Sequence, residues 1–546
     1  MSPVQPLSAE ALYRRCDPAQ FSFETTSELD NLQGIVGQPR AVEAIQFGTG
    51  MRREGYHLFA LGPAGTGKYS LVHQFLTQRA GSEPVPPDWC YVNNFEQPHK
   101  PRALQLPAGQ GTVLRHDIDR LVEELRTAIP AAFESEDYRT RRQVIEEEFK
   151  ERQEQALEEL RKQAQERGIA LMRTPMGLAF APMREEKVLG PEEFQKLPPE
   201  ERKRIETEVS MLQDQLQSIV RQVPRWERES REKLRQLNRE VTIFAVGHLI
   251  EELRQKYTSF PAVLEYLQAL EQDVLNNIQD FLKPAETPPE LALGSAQSPP
   301  PGDSGAFRRY RVNVLVDHSQ TQGAPVVYED HPTYQSLVGR IEHIAQMGAL
   351  VTDFNLIKAG ALHRANGGYL ILDAYKVLMQ PYAWEGLKRA LRAREIRIES
   401  LGQMLSLVTT VSLEPEPIPL QVKVVLLGER LLYCLLAQFD AEFNELFKVA
   451  VDFEEEMDRS PENQHLYARL LATLIRKEGL RPFDRSGVAR VIEQSARMVS
   501  DAEKLSLHMR SVVDLLREAD YWAGEAGRDV VSAADVQRAI DAQIHR

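Results

Sequence analysis

A glycine-rich loop carries the clearest chemical signal in the chain. It follows the apolar run 56–61 and precedes a helical stretch, and its residues are Gly62, Pro63, Ala64, Gly65, Thr66, Gly67, Lys68, Tyr69 and Ser70. Glycines allow successive backbone N–H groups to turn toward an anion, and the amino end of the following helix adds positive potential. Lys68 stands where a lysine reaches the β- and γ-phosphates of a nucleotide. The loop therefore predicts a nucleotide site; a Gly-rich turn without a ligand is the alternative.

One position of this loop departs from the phosphate-loop pattern. A Ser or Thr is expected after the lysine, because its hydroxyl binds Mg²⁺. Tyr69 stands at that position, and Ser70 follows one place later. The sequence therefore leaves open whether the loop only binds a nucleotide or also supports its hydrolysis.

A second candidate site residue ends a buried strand far along the chain. The apolar run 369–372 is bounded by glycines on its amino side and is followed directly by Asp373. An aspartate at the end of a strand, in a chain that also has a phosphate loop, predicts a residue that holds Mg²⁺ through water. Asp373 and Ser70 are the candidate magnesium ligands, and a strand-ending aspartate without a ligand is the alternative.

Composition excludes several classes of protein. The chain has 546 residues, 27% of them charged, and a net charge of −14, which argues against a general nucleic-acid binder. Its three cysteines are too few and too far apart for a disulfide framework or a zinc site. The first residues show no signal peptide, and the longest apolar runs are far shorter than the roughly 20 residues that span a bilayer. We expect a globular cytoplasmic protein without membrane spans.

The pattern of strands, helices and linkers divides the chain into six segments. After the helix that follows the phosphate loop, the run 88–95 is predicted as a second strand, and the charged helical composition begins near residue 113. The predicted segments are an N-terminal adaptor (1–33), the first part of the α/β domain (34–112), a helical arm insertion (113–283), a flexible Pro/Ser/Gly-rich linker (284–305), the second part of the α/β domain (306–457) and a helical lid (458–546).

The arm insertion shows a heptad pattern. Apolar residues recur at alternating spacings of four and three, which is typical of long helices that pair side by side. They are Ile205, Val209, Leu212, Leu216, Ile219 and Val223, and then Leu234, Leu237, Val241 and Phe244. We expect two long antiparallel helices; an all-helical subdomain is the alternative. Between them, an apolar hairpin tip is predicted near 168–190, where Met172, Met176, Phe180 and Met183 either form an adaptable surface or pack on the arm itself.

These stretches resemble the AAA+ module of Lon-type proteases. The residues that carry the resemblance are 23–26, 35–38, 62–68, 360–373 and 412–418. The bacterial Lon-like branch with a long helical insertion between its Walker A and Walker B motifs is the most similar. The resemblance extends over nearly the whole chain and implies an α/β P-loop AAA+ domain, an inserted helical hairpin arm and a C-terminal all-α lid. Related archaeal membrane proteins carry transmembrane segments in this insertion, whereas this chain does not.

The resemblance also implies roles for residues of the nucleotide site. Ile35 and Val36 would touch the adenine base, and Asp373 would be the Walker B aspartate. Ala374 stands where the family usually has the glutamate that orients the attacking water, and alanine cannot accept a proton. Glu385 is a weak substitute, since a solvated helix face explains it as well. ATP or ADP with Mg²⁺ is the implied cofactor.

Further positions match family residues that respond to the γ-phosphate. The polar sensor that follows a strand is missing at Gly428, which leaves Glu429 as the candidate. Lys448 stands where an arginine finger is expected, and it keeps the charge without the bidentate fork. Arg510, at the edge of an apolar helix stripe, matches the sensor-2 arginine, with Arg517 as its rival.

The expected function is that of a nucleotide-binding AAA+ module in an ATP-dependent Lon-like protease. Such a module captures unfolded or damaged polypeptide and feeds it to a Ser-Lys protease domain, and it assembles into a ring, by family analogy a hexamer. No stretch resembles the serine motif of that protease domain, and hydrolysis of ATP is expected to be weak. The alternatives are a non-hydrolysing ring scaffold or gate of an ATP-independent Lon-like protease, and a MoxR-like remodelling chaperone.

Overall fold

The computed structural model describes residues 13–32, 36–174, 177–184, 187–190, 194–195, 197–282, 305–346, 349–399 and 413–546. These residues form two compact units, the α/β–lid unit within 1–115 and 312–546, and the arm unit within 116–311. Among the described helices, none is both long enough and apolar enough to cross a lipid bilayer. The predicted linker, apart from its last residue, lies outside the described residues.

The described strands and helices are bounded as follows. The strands are β1 (Leu58–Leu61), β2 (Asp88–Val92), β3 (Arg102–Leu106), β4 (Ile169–Thr174), β5 (Gly177–Arg184), β6 (Lys187–Val188), β7 (Asn313–Val316), β8 (Val326–Glu329), β9 (Arg340–Ile341), β10 (Ile344–Gln346), β11 (Ala349–Val351), β12 (Ile357–Lys358), β13 (Tyr369–Asp373), β14 (Glu395–Ile396), β15 (Ile418–Pro419), β16 (Lys423–Gly428), β17 (Val449–Asp452), β18 (Glu456–Asp458) and β19 (Lys504–Ser506). The α-helices are α1 (Pro39–Gly50), α2 (Lys68–Ala80), α3 (Gln110–Glu134), α4 (Glu136–Glu166), α5 (Pro199–Lys256), α6 (Pro261–Asn276), α7 (Ile278–Leu282), α8 (Tyr334–Val338), α9 (Ala361–Arg364), α10 (Ala374–Met379), α11 (Ala383–Ala393), α12 (Arg430–Phe439), α13 (Phe443–Leu446), α14 (Pro461–Lys477), α15 (Arg485–Met498), α16 (Met509–Glu525) and α17 (Ala533–His545).

A parallel sheet forms the centre of the α/β–lid unit. Its strands run in the order β17-β1-β16-β13-β8, and every neighbouring pair is parallel. The register sets Leu61 beside Gly428 and Asp373 beside Leu427. Because parallel strands end at one edge, the phosphate loop after β1 and Asp373 at the end of β13 share that edge, two strand spacings or about 10 Å apart.

Helices cover both faces of this sheet. Along β1, Leu58 and Ala60 pack in one apolar core with α1 and α2, while Phe59 and Leu61 face a second core that includes residues of α10 to α13. All four side chains of β1 are buried. Burial on both faces explains why these strands read as unbroken apolar runs rather than alternating ones.

The run around β2 does not join the parallel sheet. The prediction of a strand was right, but β2 pairs antiparallel with β3 and β7 in a separate three-stranded sheet. The strand beside β13 in the parallel sheet is β8 instead. The sequence could not distinguish the two because β2 is buried along its whole length, and a short apolar run does not reveal its partner strands.

The lid is a bundle of α14 to α17 with its own apolar core. Ser460 accepts a hydrogen bond from the N–H of Asn463, and Asp484 accepts one from that of Gly487, so side chains cap the starts of α14 and α15. Phe21 and Phe23, from the predicted adaptor, are buried in the lid core.

In the arm unit, α4 and α5 run antiparallel. Tyr138 donates a hydrogen bond to Asn238 at 2.9 Å, whereas Leu160 shares an apolar cluster with Leu212, much earlier in α5. Long helices were therefore rightly expected from the heptad pattern. The pattern fails at Phe244, whose side chain is 88% exposed, while Val246 and Ile250 are buried in its place. A straight helix drifts by about 20° per heptad, so a strict repeat of seven loses the buried face along a helix of this length.

A small antiparallel sheet of β4, β5 and β6 follows α4. Phe180 packs against the cluster that contains Leu160 and Leu212, as the alternative of self-packing predicts. Met172 stays exposed, and Met176 lies outside the described residues.

Candidate functional site

A cleft of about 1300 Å³ opens at the carboxyl edge of the parallel sheet. The phosphate loop and the first residues of α10 and α12 form its sheet side. The end of α14 and the first half of α16 form its lid side. The cleft thus brings together parts of the chain that lie hundreds of residues apart.

The phosphate loop depends on its glycines. Gly62, Gly65 and Gly67 have φ values of 153°, 93° and 75°, a region of backbone conformation that side chains disfavour. A Cβ at Gly65 would also lie 2.7 Å from the ring of His508 in the lid. The lid therefore touches the loop directly, and the backbone N–H of Arg510 donates to the Gly65 carbonyl at 3.2 Å.

Lys68 is the half-buried cation of the loop. Its Nζ donates to the carbonyl oxygens of Gly62 and Pro63, the latter at 2.6 Å. Burial lowers the pKa of Lys68, and the carboxylates of Glu429 and Asp373 partly oppose that shift. The ammonium therefore lies in the field of both acidic residues that the sequence assigned to this site.

Asp373 lies at the cleft and caps α10. One of its carboxylate oxygens accepts the backbone N–H of Lys376 at 2.9 Å. The next residue points elsewhere, because Ala374 is only 1% exposed and packs in the apolar core beside Phe59. A glutamate at 374 would place a carboxylate in that core. A side chain at position 374 therefore cannot act as a general base in the cleft in this arrangement.

The end of β16 is glycine for a packing reason. A Cβ at Gly428 would lie 2.5 Å from the Phe59 ring and 3.3 Å from the Ala374 side chain. Glu429, the next residue, lines the cleft and directly precedes α12. Ala374 and Gly428, the two residues that depart from the family pattern, are thus neighbours in space.

The lid contributes basic side chains to the cleft. Arg510 and Arg517 both line it, but Arg517 is paired with Glu478 at 2.6 Å and Asp514 at 3.3 Å. Arg510 makes no ion pair with any residue of the described chain. Its guanidinium is therefore the better candidate for a ligand contact.

Other predicted residues lie outside the cleft. Lys448 directly precedes β17, at the amino edge of the sheet, with its ammonium 5.3 Å from the centre of the Tyr56 ring. Glu385 is exposed and pairs with Lys388 at 2.9 Å, which is the surface role that the sequence also allowed. Val36 packs against the lid core, and Ile35 lies outside the described residues.

Tyr328, Lys376 and Lys477 are among the cleft residues that the sequence did not indicate. Tyr328 lies in β8 and reaches the cleft from that strand. Lys376 follows Asp373 by three residues, and Lys477 is the last residue of α14. Only Lys376 had a local signal, its spacing from Asp373. The other two reach the cleft through the sheet order and the lid packing, which no local pattern reports.

The residues present do not fit a magnesium site of the usual P-loop kind. The side chain at position 69 is a phenol, and its ring lies 4.7 Å from the centre of the Tyr328 ring. One oxygen of Asp373 is used as a helix cap. Across the described ranges, no group of three or more His, Cys, Asp or Glu side chains is arranged to hold a metal ion. Ser70 lines the cleft and is the remaining hydroxyl.

Three family models match parts of the chain. A model described as "LonB-like, AAA domain" matches residues 322–454, and one described as "Archaeal LonB, AAA+ ATPase LID domain" matches 482–546. A third, "Lon-like LonC helical domain", matches 88–121. Residues 122–321, most of the arm unit, lie outside these three matches.

Curated relatives point the same way. The archaeal Lon protease of Thermoplasma volcanium is 26% identical over 229 residues, which cover 41% of this chain and 34% of that protein. The archaeal Lon protease of Archaeoglobus fulgidus is 28% identical over 231 residues, 41% of this chain and 36% of that protein. The chain thus spans about a third of the length of these relatives.

Among solved structures, NtrX from Brucella abortus in complex with ATP is similar to this chain. The identity is 15%, the coverage is 39% of this chain and 42% of that chain, and the TM-score of 0.26 is too low to support a conclusion.

The parallel sheet, the phosphate loop and the helical lid define an α/β P-loop module of the AAA+ class, with a helical insertion. By the matched models and relatives, this module is similar to the AAA+ module of Lon-type proteases. The sequence had pointed to a bacterial branch of that family. These findings correct the branch, because the lid model and both relatives are archaeal.

Proposed function

We propose that the cleft binds ATP or ADP, and that this chain is the nucleotide-binding part of a Lon-type protease. The observation that carries the proposal is the convergence of Lys68 from the loop and Arg510 from the lid on one cleft. The positive φ glycines and the amino end of α2 add backbone donors for phosphate oxygens. A nucleotide bridging loop and lid would hold the two parts of the unit together.

Hydrolysis in this cleft is proposed to be weak. Ala374 supplies no base and is enclosed in the core, and Gly428 supplies no sensor side chain. Removing one preorganised group typically costs a factor of about 10² or more in rate. A second candidate function follows from the same observation: a ring subunit in which bound nucleotide stabilises the assembly without being turned over.

The substrate-handling role is proposed from the arm and from the family. Exposed apolar residues of the small sheet, Met172, Leu178 and Val188, offer a surface on which unfolded polypeptide could be held. The module would work in a ring, a hexamer by family analogy, and would pass polypeptide to a Ser-Lys protease domain. Lys448, at the amino edge of the sheet, would face a neighbouring subunit in such a ring.

Binding of a fluorescent ATP analogue tests the central claim. The purified protein should bind the analogue, and Lys68→Ala should weaken binding by at least about tenfold, the equivalent of one lost charged contact. Lys358→Ala, an exposed lysine in β12 and not among the residues that line the cleft, is the matched control and should bind like the unaltered protein. Equal binding by Lys68→Ala would refute the proposal.

Steady-state ATP turnover then separates the two candidate functions. A slow rate that disappears in Lys68→Ala supports a weak ATPase. No turnover with intact binding supports the non-hydrolysing ring subunit.

A further inference from the structure

We propose that the cleft binds its nucleotide without a divalent cation, and that Lys68, Lys477 and Arg510 neutralise the phosphates in place of Mg²⁺. This inference rests on the proposed nucleotide site and specifies the chemical form of the ligand. It predicts free ATP or ADP, rather than the magnesium complex, as the species that binds.

The first reason is the side chain at the magnesium position. Tyr69 is the second residue of α2, where a short hydroxyl would lie beside the phosphates. Its ring instead packs between Tyr328, at 4.7 Å between ring centres, and His73, at 5.5 Å. Tyr328 donates to Asp330 at 3.2 Å, which is itself paired with Lys376. The tyrosine ring, which lines the cleft, is thus in contact with a network that involves β8 and α10.

The second reason is the environment of the acidic residues. One oxygen of Asp373 caps α10 through the backbone N–H of Lys376. Glu429 lines the same cleft and directly precedes α12. Mg²⁺ needs near-ideal octahedral oxygen ligands, and the loop offers a phenol where one of them belongs.

The third reason is a set of cations without an acidic partner among the described residues. Lys68, Lys477 and Arg510 all line the cleft, and none of them forms an ion pair within 4.0 Å of an acidic group in the described parts of the chain. By contrast, Lys376 and Arg517 in the same cleft are paired with carboxylates. These positive charges from loop and lid are not neutralised by protein carboxylates and are therefore available to the phosphates. Arginine and lysine bind phosphate oxygens well without a metal.

Equilibrium binding of a fluorescent ATP analogue, with excess Mg²⁺ or with EDTA, is the direct test. The affinity in EDTA should be at least as high as that in Mg²⁺, with a measurement tolerance of about threefold. Tightening by Mg²⁺ of more than about threefold would overturn the inference. Absence of binding in both buffers would instead refute the proposed nucleotide site, so the two failures are distinguishable.

Substitutions at position 69 identify the cause. Tyr69→Thr restores the Ser/Thr of the phosphate-loop pattern and should make binding tighter in Mg²⁺ than in EDTA by about tenfold. Tyr69→Phe is the matched control, keeps the ring and should show no Mg²⁺ dependence. If Tyr69→Thr also shows none, Tyr69 does not exclude the ion. Thermal unfolding of each variant confirms that it is folded, and since Tyr69 is 41% exposed, we expect little change.

The cations provide an independent readout. In EDTA, the double variant Lys477→Ala/Arg510→Ala should lose at least about tenfold in affinity. The double variant Arg485→Ala/Lys504→Ala removes two lid cations that are paired with carboxylates and do not line the cleft; it is the control and should lose less than about threefold. Equal losses in the two proteins would contradict the proposed role of the unpaired cations.

Discussion

The parallel sheet and the middle of the arm are stabilised in opposite ways. In β1 and β16 nearly every side chain is buried between two layers of helices. In the arm, residues 139–159 of α4 and 213–236 of α5 include no buried side chain. That stretch instead carries exposed ion pairs such as Arg152–Glu229 at 3.1 Å, and it contains Pro224, which removes one helix N–H.

This difference predicts which changes in sequence or solution conditions destabilise each region. Apolar burial contributes about 25 cal/mol per Å², whereas an exposed ion pair contributes about 0–1 kcal/mol and is screened by salt. The sheet should therefore respond to changes in its core and to the charging of buried groups. The middle of the arm should respond to ionic strength and open locally.

Ala374→Glu is expected to have the largest effect. It would place a carboxylate in the apolar core beside Phe59 and lower the free energy of unfolding by about 3–5 kcal/mol, as an unpaired buried charge does. Ala156→Glu, in the middle of α4, is the matched change and should cost less than about 1 kcal/mol. Guanidinium denaturation of both variants is the measurement. A stable Ala374→Glu protein with faster ATP turnover would show that this position opens to the cleft.

The second largest effect is expected on acidification, which should lower the free energy of unfolding through buried histidines of the α/β–lid unit. Burial lowers the pKa of His57 and of His363 to about 3, with the charges of Lys423 and Arg364 as further causes. In the unfolded chain both titrate near pH 6.5, so only the unfolded state gains protons between pH 6.5 and 3. Stability is thus fully present above pH 6.5 and is lost on acidification by about 1.4 kcal/mol per pH unit for each histidine.

His57→Asn isolates half of that pH dependence. Asparagine can still accept the Val424 N–H that His57 Nδ1 accepts at 3.1 Å. Between pH 7 and pH 5, the variant should lose about 2 kcal/mol less stability than the unaltered protein. Denaturation at the two pH values measures this. An unchanged pH dependence would mean that His57 is already charged in the folded protein.

The smallest effect is expected in the arm. Arg152→Ala should change the free energy of unfolding by less than about 1 kcal/mol, because both partners of its pair are exposed. Added NaCl should nevertheless raise amide exchange severalfold in 213–236 and leave β16 unchanged. Hydrogen exchange with mass spectrometry resolves the two regions. Equal salt dependence in both would remove the distinction between them.

Local patterns predicted much of the fold and of the candidate site. The phosphate loop and Asp373 are recognisable because each lies beside a strand or helix that the sequence also shows. Tyr69 was recognised as unusual, but its partner Tyr328 lies 259 positions away in the chain, in another strand, and no local pattern joins them. The reason for Gly428, its contact with Phe59, likewise depends on the order of strands.

The same limit explains the errors. The partner strands of β2 were not predicted, because its apolar run fits either sheet. Phe244 was assigned to the helix seam because a repeat of seven was extended beyond the point where a straight helix follows it. In each case the residue type was read correctly, and the partner, which only the tertiary structure supplies, was not.

The small sheet of β3, β2 and β7 has a consequence for the insertion that lies between β3 and β7 in the chain. The chain leaves this sheet after one edge strand, β3, and re-enters it at the other edge strand, β7. Those strands are separated by a single strand, about 10 Å. The α/β–lid unit therefore constrains little more than the distance between the two ends of whatever is inserted. An insertion of another length or fold between β3 and β7 would leave the strands that carry the cleft unchanged.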